Sequence, residues 1–350
     1  MAYDLFNSRT MIAALTQAKP PRTFLLNTFF NVTPRTFDTE AVDIDIMKGK
    51  RRLAPFVNPR REGKLVEKLG YKTRSYKPAY IKPKMVTDAT DILKRDMGQN
   101  IYAPNDGPAQ KAAREVGRNL ADLNDQITRR EEWMAAQSLT TGKCPIIGEG
   151  IDDLVDFLME ATHLPALTGT AKWTDHTNAT PLDDLKTWKR IVTKDSGIAP
   201  TRAIFGLDAI DNFLKCDNVI GSTGGGKNLF NMKNVEMGRI VPEQLPDGVI
   251  YYGTLTELGL DLYTYEEWYI DDDSGIESPM MPADKVLLGS PSARTEKLYG
   301  AIRDLKALAA MPRFPKSWEK EDPSVRFIML QSAPLMVPVQ IDAFLCADVL

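Results

Sequence analysis

Residues 109–140, AQKAAREVGRNLADLNDQITRREEWMAAQSLT, carry apolar side chains at Val116, Leu120, Leu123, Ile127 and Met134. Their gaps of four, three, four and seven residues place all five on one stripe of a 3.6-residue helix. Pro108 stands where a first turn tolerates a missing amide, and Gly142 stands just past the last turn. At about 1.5 Å per residue such a helix runs roughly 45 Å, long for a globular domain. The opposite face holds Arg118, Asp122, Asp125, Arg129 and Glu132 and is expected to be solvated.

N-terminal to this helix, residues 46–95 hold fifteen Lys and Arg against four Asp and Glu, an excess of eleven positive charges. The whole chain carries −3, so the other 300 residues carry −14. Prolines at 55, 59, 78 and 83 among scattered Val, Leu and Tyr predict a long two-stranded β-excursion. An isolated hairpin has too little core to stand alone. Three readings stay open: an arm that docks on an acidic neighbour, a solvated basic hairpin, or a nucleic-acid surface with Tyr71, Tyr76 and Tyr80 stacking on bases. Residues 1–45 begin with a weak helical patch at Met11–Leu15 and then turn extended, because Pro20, Pro21 and Pro34 break helices. TFLLNTFFNV (23–32) is apolar with little alternation and is expected to lie on another surface, of its own chain or a neighbour's.

C-terminal to the helix, residues 150–310 read as mixed α/β. IDDLVDFLMEATH (151–163) and PLDDLKTWKRIVTK (181–194) read as amphipathic helices. RAIFG (202–206), GVIYYGT (248–254), LDLYTYEEWYI (260–270) and DKVLLG (284–289) read as strands. Glu257–Glu277 holds eight acids and no Lys or Arg. Its end, DDDSGIE (271–277), lacks the ligand alternation of a calcium loop and predicts a β-hairpin with an acidic tip. In the tail, RFIMLQSAPLMVPV (326–339) and AFLCADV (343–349) read as strands bent or edged by Pro334 and Pro338.

Composition narrows the chemistry. The 350 residues, 43% apolar and 26% charged, fit one large domain or two ordinary ones. Cys144, Cys216 and Cys346 form no CxxC pair or disulfide framework, which suits a reducing compartment. The two histidines, His163 and His176, form no metal-binding pair, and His176 sits in a TDHTNAT stretch that reads as surface loop. No GxSxG elbow and no apolar run of about 20 residues occurs, and no secretory leader is read, so a soluble, non-secreted protein is expected. Gly221-Ser-Thr-Gly-Gly-Gly-Lys227 matches a phosphate-binding loop, but Asn228 replaces the Mg²⁺-binding hydroxyl. AIDNFLKCDNVI (209–220) before it is helical rather than strand-like, so a glycine-rich loop is expected. No catalytic, cofactor or metal residue is assigned, and no enzymatic activity is expected.

Five segments in order carry a family resemblance: KPAYIKPK (77–84), MAAQSLTTGKC (134–144), KVLLGSPSARTEKLYGAI (285–302), FPKSWEKEDPSVRF (314–327) and MLQSAPLM (329–336). Together they resemble the lambda-type major capsid proteins of tailed phages, the phage capsid protein E family. The resemblance implies an α+β chain with the tailed-phage/herpesvirus major capsid fold. Its parts would be an N-terminal arm (1–45), an extended E-loop β-hairpin (46–95), a P domain (96–149) with the spine helix at about 109–140, an A domain (150–310) and C-terminal P-domain strands (311–350). It also implies pentamers and hexamers in an icosahedral shell that encloses double-stranded DNA without sequence-specific binding and expands on packaging. Scaffolding protein, portal and a decoration protein would be partners; no membrane is involved; and assembly would take place in the bacterial host cytoplasm, yielding the virion capsid.

On that reading Arg51, Arg52, Arg60, Arg61, Lys64, Lys68, Lys72 and Arg74 make the E-loop contacts to neighbouring copies. Phe24, Leu25, Phe29 and Phe30 make N-arm contacts, and Val116, Leu120, Leu123, Ile127 and Met134 form the spine-helix core face. Gly221, Gly224, Gly225, Gly226 and Lys227 belong to an A-domain loop. The aromatic loop around Trp173 and the acidic hairpin tip have no assigned partner. The alternatives are a nucleotide-binding enzyme built on GSTGGGK and a DNA-binding protein built on the 46–95 arm.

Overall fold

The apolar stripe becomes one 34-residue helix, Pro108–Thr141, numbered α3 after α1 (Ser8–Gln17) and α2 (Leu25–Phe29). The computed structural model describes residues 7–17, 23–39, 41–47, 53–54, 56–60, 62, 65, 71–88, 108–148, 150–220, 243–245, 248–271, 275–304, 310–322 and 325–350. Gly142 closes α3 at φ +68, and a Cβ there would lie 2.3 Å from Met159 Cβ, so both conformation and space require glycine.

The N-terminal half of α3 lays Val116, Leu120, Leu123 and Ile127 against Met11 of α1 and against Ile328 and Leu330. The last two come from β16 (Val325–Gln331), the middle strand of an antiparallel sheet with β15 (Phe314–Lys320) and β4 (Lys84–Asp88). The C-terminal half of α3 enters the largest core, where Met134, Ala135 and Leu139 meet Phe29, Phe30, Leu335 and Phe344. A second small sheet borders this core: β1 (Arg35–Thr36) runs parallel to β14 (Glu296–Tyr299), which pairs antiparallel with β17 (Pro334–Val337). Pro334 opens an edge strand there, where the missing amide costs no ladder bond.

A six-stranded sheet carries the rest, in the order β18 (Leu345–Asp348), β13 (Lys285–Gly289), β7 (Arg202–Phe205), β10 (Leu260–Tyr265), β9 (Val249–Leu255) and β8 (Glu243–Leu245). Only β7 and β10 pair in parallel. One face of this sheet supplies Ile204, Leu287 and Tyr265 to the core shared with α3. The other supplies Phe205, Leu262 and Leu288 to a core under α4 (Pro181–Ser196) and α5 (Leu207–Lys215). Trp173 is fully buried there against Trp188, Phe205 and Phe213, and its Nε1–H donates to Asp184 Oδ2 at 3.0 Å. The partner of the Trp173 loop is thus the chain's own core. His176 is half-buried, with Nε2 3.0 Å from Asn212 Oδ1, so it is not the exposed loop residue expected.

Three hairpins complete the fold: β2 (Val42–Met47) with β3 (Tyr71–Tyr76), β5 (Lys143–Gly148) with β6 (Ile151–Asp156), and β11 (Trp268–Ile270) with β12 (Glu277–Pro279). Two expectations are corrected. IDDLVDFLMEATH is not a helix; it pairs as β6 with β5 and ends in a 3₁₀ turn at Ala161–His163, because tertiary pairing overrides a short ambiguous pattern. TFLLNTFF is not extended; Leu25–Phe29 turns into the one-and-a-half-turn α2 and buries its apolar side chains in the chain's own core.

Strand pairing links distant stretches of the chain. β2 starts at Val42, inside the expected arm, and β4 leaves the excursion to pair with β16. β14 pairs with β1 and β17, and β18 from the tail pairs with β13 in the six-stranded sheet.

Candidate functional site

Among the described residues the most developed polar framework is the one that docks the N-terminal segment and the C-terminal strands on α3. The framework centres on two adjacent carboxylates of α3. Glu132 is 2% exposed, which overturns its assignment to a solvated face. Its Oε1 accepts the Phe24 and Leu25 amides at 3.0 and 2.7 Å, and its Oε2 accepts the Leu26 amide at 3.0 Å. The free amides at the start of α2 thereby gain an acceptor on a helix more than 100 residues away. Burial pushes the Glu132 carboxyl above its usual range, and the three amides together with Tyr265 pull it back down.

Glu131 faces the other way. Its Oε1 lies 2.6 Å from Arg313 Nη1, which also donates to Ser332 Oγ at 3.0 Å, while Arg313 Nε donates to Asn124 Oδ1 at 3.2 Å. Both side chains are largely withdrawn from water, at 6% and 17% exposure. Lys316 Nζ and Asp304 Oδ2 make a second such pair at 2.6 Å, with Gln331 Nε2–H donating to the same oxygen. Sequence reading misses these groups. The available signal is an acid doublet running directly into the apolar WMAA of residues 133–136.

The core-face residues Val116, Leu120, Leu123, Ile127 and Met134 are all buried on α3, as their spacing predicts. Leu25, Phe29 and Phe30 are buried and Phe24 is half-buried, its ring 5.5 Å from Tyr263 and 5.4 Å from Tyr265. Phe29 meets Phe344 edge-on at 5.3 Å. These four are therefore committed within their own chain.

In the basic excursion, Lys72 and Arg74 stand on β3, paired with Ile46 and Ile44. Arg60 is exposed, its amide donating to Asn58 Oδ1 at 3.0 Å. Arg51, Arg52, Arg61, Lys64 and Lys68 lie outside the described residues. Leu53, Phe56 and Leu65 are 97%, 106% and 97% exposed.

The acidic hairpin forms as expected, but its strands are β11 and β12; the flanking LDLYTY and KVLLG runs join the six-stranded sheet instead. Tyr269 turns inward, 6.4 Å from Trp133 of α3 and edge-on to it, while Trp268 and Ile270 turn outward. Gly221, Gly224, Gly225, Gly226 and Lys227 lie outside the described residues. The chain enters that loop from α5 and α6 (Asp217–Ile220), helices rather than the buried strand that feeds a phosphate-binding loop.

Among the described residues no His, Cys, Asp and Glu cluster has metal-binding geometry, and no helix is long and apolar enough to cross a membrane. His163 is enclosed by Phe344 O at 2.8 Å and Asp195 Oδ2 at 3.2 Å. All three cysteines are free and buried. Burial pushes the thiols of Cys144 and Cys346 up to about 12 and that of Cys216 up to about 11. Only the thiolate alkylates quickly. The folded protein is therefore expected to resist iodoacetamide at mildly alkaline pH and to take up three labels once denatured, counted by mass spectrometry. Rapid labelling of the folded chain would contradict this burial.

The family model for phage major capsid protein E matches residues 7–349, and the chain belongs to that family. It is 28% identical to the major capsid protein of Enterobacteria phage P21 over 355 residues, covering 99% of each chain. It is 25% identical to that of Escherichia phage lambda over 352 residues, covering 97% of this chain and 98% of the relative. The crystal structure of a prophage protein from Escherichia coli CFT073 superposes with a TM-score of 0.73 at 23% identity, covering 98% and 99% of the two chains. The function is that of a major capsid protein, a structural component of the virion.

Proposed function

We propose that this chain builds the icosahedral shell of a tailed double-stranded DNA phage as pentamers and hexamers. Residues 46–95 act as an E-loop laid over a neighbouring copy, residues 1–45 as an arm, residues 150–310 as the body of an axial A domain, and α3 with β15, β16 and β17 as the frame of a P domain. Scaffolding protein and portal take part in procapsid assembly in the host cytoplasm, the shell expands as DNA enters, and a decoration protein binds the expanded lattice. The observation that carries this reading is the basic excursion, which exposes Leu53, Phe56 and Leu65 almost completely in the single chain. Apolar side chains at that exposure gain roughly 25 cal/mol per Å² when a partner covers them. The excess of eleven positive charges in residues 46–95, against −14 in the rest of the chain, lets one copy steer onto another. Many weak contacts then close a stable lattice. The same negative balance limits adhesion of the shell to its DNA.

Negative-stain electron microscopy and sedimentation of the chain, alone and with a scaffolding protein, are expected to reveal closed shells of uniform size. Reversing charge at Arg51, Arg52, Arg60 and Arg61 to Glu is expected to abolish shells while the monomer keeps its circular dichroism and melting temperature. Wild-type shell yield from that variant would refute the role given to the arm. Nucleotide binding lost on Lys227→Ala, or DNA affinity with a steep salt slope, would instead favour the two alternatives.

A further inference from the structure

The outward side of the β11–β12 hairpin pairs apolar exposure with acid. Trp268, Ile270 and Ile276 are 45%, 67% and 63% exposed, in a segment (257–277) with eight acids and no Lys or Arg. The basic excursion has the complementary composition: Leu53, Phe56 and Leu65 exposed among the fifteen Lys and Arg of residues 46–95. Isolated exposed apolar side chains are ordinary, but two sets, each embedded in opposite charge, are matched surfaces. Both sets stay exposed in the single chain, so they do not cover each other within it.

Between Met47 and Tyr71 lie the 23 residues 48–70. A span of 23 residues is long enough for a contact with a second copy, since an extended residue covers about 3.3–3.6 Å. We infer that the β11–β12 hairpin is the seat for Leu53, Phe56 and Leu65 of a neighbouring copy. Phe56 and Leu53 lie against Trp268 and Ile270, and Arg60 faces Asp271 and Glu277. An aromatic centre ringed by opposite charges is the arrangement that concentrates binding energy at an interface. The contact joins two different patches, so each copy both gives and receives, as a closed ring requires. This inference rests on the shell-forming reading above and names the surface the excursion meets.

Engineered cross-linking of assembled shells tests it. The native thiols are buried, so background is low. Phe56→Cys combined with Ile270→Cys is expected to give, on mild oxidation, a ladder of covalent multimers on a non-reducing gel, absent from either single variant. Formed shells without a ladder, or a cross-link confined to a compact monomer, would overturn the inference while the shell-forming reading stands. No shells from the wild-type chain would overturn that reading itself.

A second pair of variants covers the case in which the cysteines block assembly. Asp271→Lys with Glu277→Lys is expected to lower shell yield about ten-fold, and Arg60→Glu with Arg61→Glu in the same chain to restore much of it. An unchanged yield, or a loss that the swap does not repair, would count against the hairpin as the seat.

Discussion

Replacing Arg313 by alanine is expected to destabilise the folded chain by about 3–5 kcal/mol, measured by denaturant unfolding. The cost does not come from the ion pair as such, since a buried pair roughly balances its own desolvation. It comes from what the substitution leaves behind: Glu131, 6% exposed, would lose the guanidinium 2.6 Å away. Ser332 Oγ and Asn124 Oδ1 would each lose a donor as well. The double variant Glu131→Leu, Arg313→Met removes both charges and is expected to recover most of the loss. A single-variant loss below about 1 kcal/mol would place the pair in the energetic class of exposed salt bridges.

Glu132→Ala is expected to cost about 4 kcal/mol, because two buried amides and one half-buried amide at 2.7–3.0 Å lose their acceptor together. The damage is expected to be local first. Hydrogen exchange at Phe24, Leu25 and Leu26 should accelerate before exchange in the six-stranded sheet, as the segment holding α2 lifts from α3. Glu132→Gln keeps one oxygen but turns an NH₂ toward an amide, so it is expected to fall between wild type and alanine. Uniform acceleration across the chain would mean that the carboxylate supports the whole core rather than one docked segment.

The long helix is legible because periodicity accumulates over many turns: five apolar positions from Val116 to Met134 agree on one face, and Gly142 marks the stop. Short elements offer no such averaging. α2 has five residues, and nothing in TFLLNTFF separates a buried turn of helix from an extended strand. β6 escapes sequence reading because IDDLVDF satisfies a helical pattern about as well as a strand pattern until β5 is there to pair with it. Glu132 escapes it for a different reason. Charge predicts solvent only when no unsatisfied donor waits inside, and the amides of α2 cannot be located from the sequence. The basic character of residues 46–95 is legible from their charge. The apolar residues at 53, 56 and 65 gain meaning only once they are found uncovered.

Phe29 packs on Phe344 across more than 300 residues of sequence, and β18 beside it pairs with β13 in the six-stranded sheet. Trp173 N–H donates to Val349 O and Leu167 N–H to Asp348 O, so the α4 side of the sheet waits on the same residues. Domains ordinarily fold in turn as a nascent chain lengthens. Both larger cores include residues of β18 and its flanks, so neither closes until that strand has been made. A fragment that stops short of Leu345 is therefore expected to leave both cores open and to present no finished surface on which a shell could start to grow.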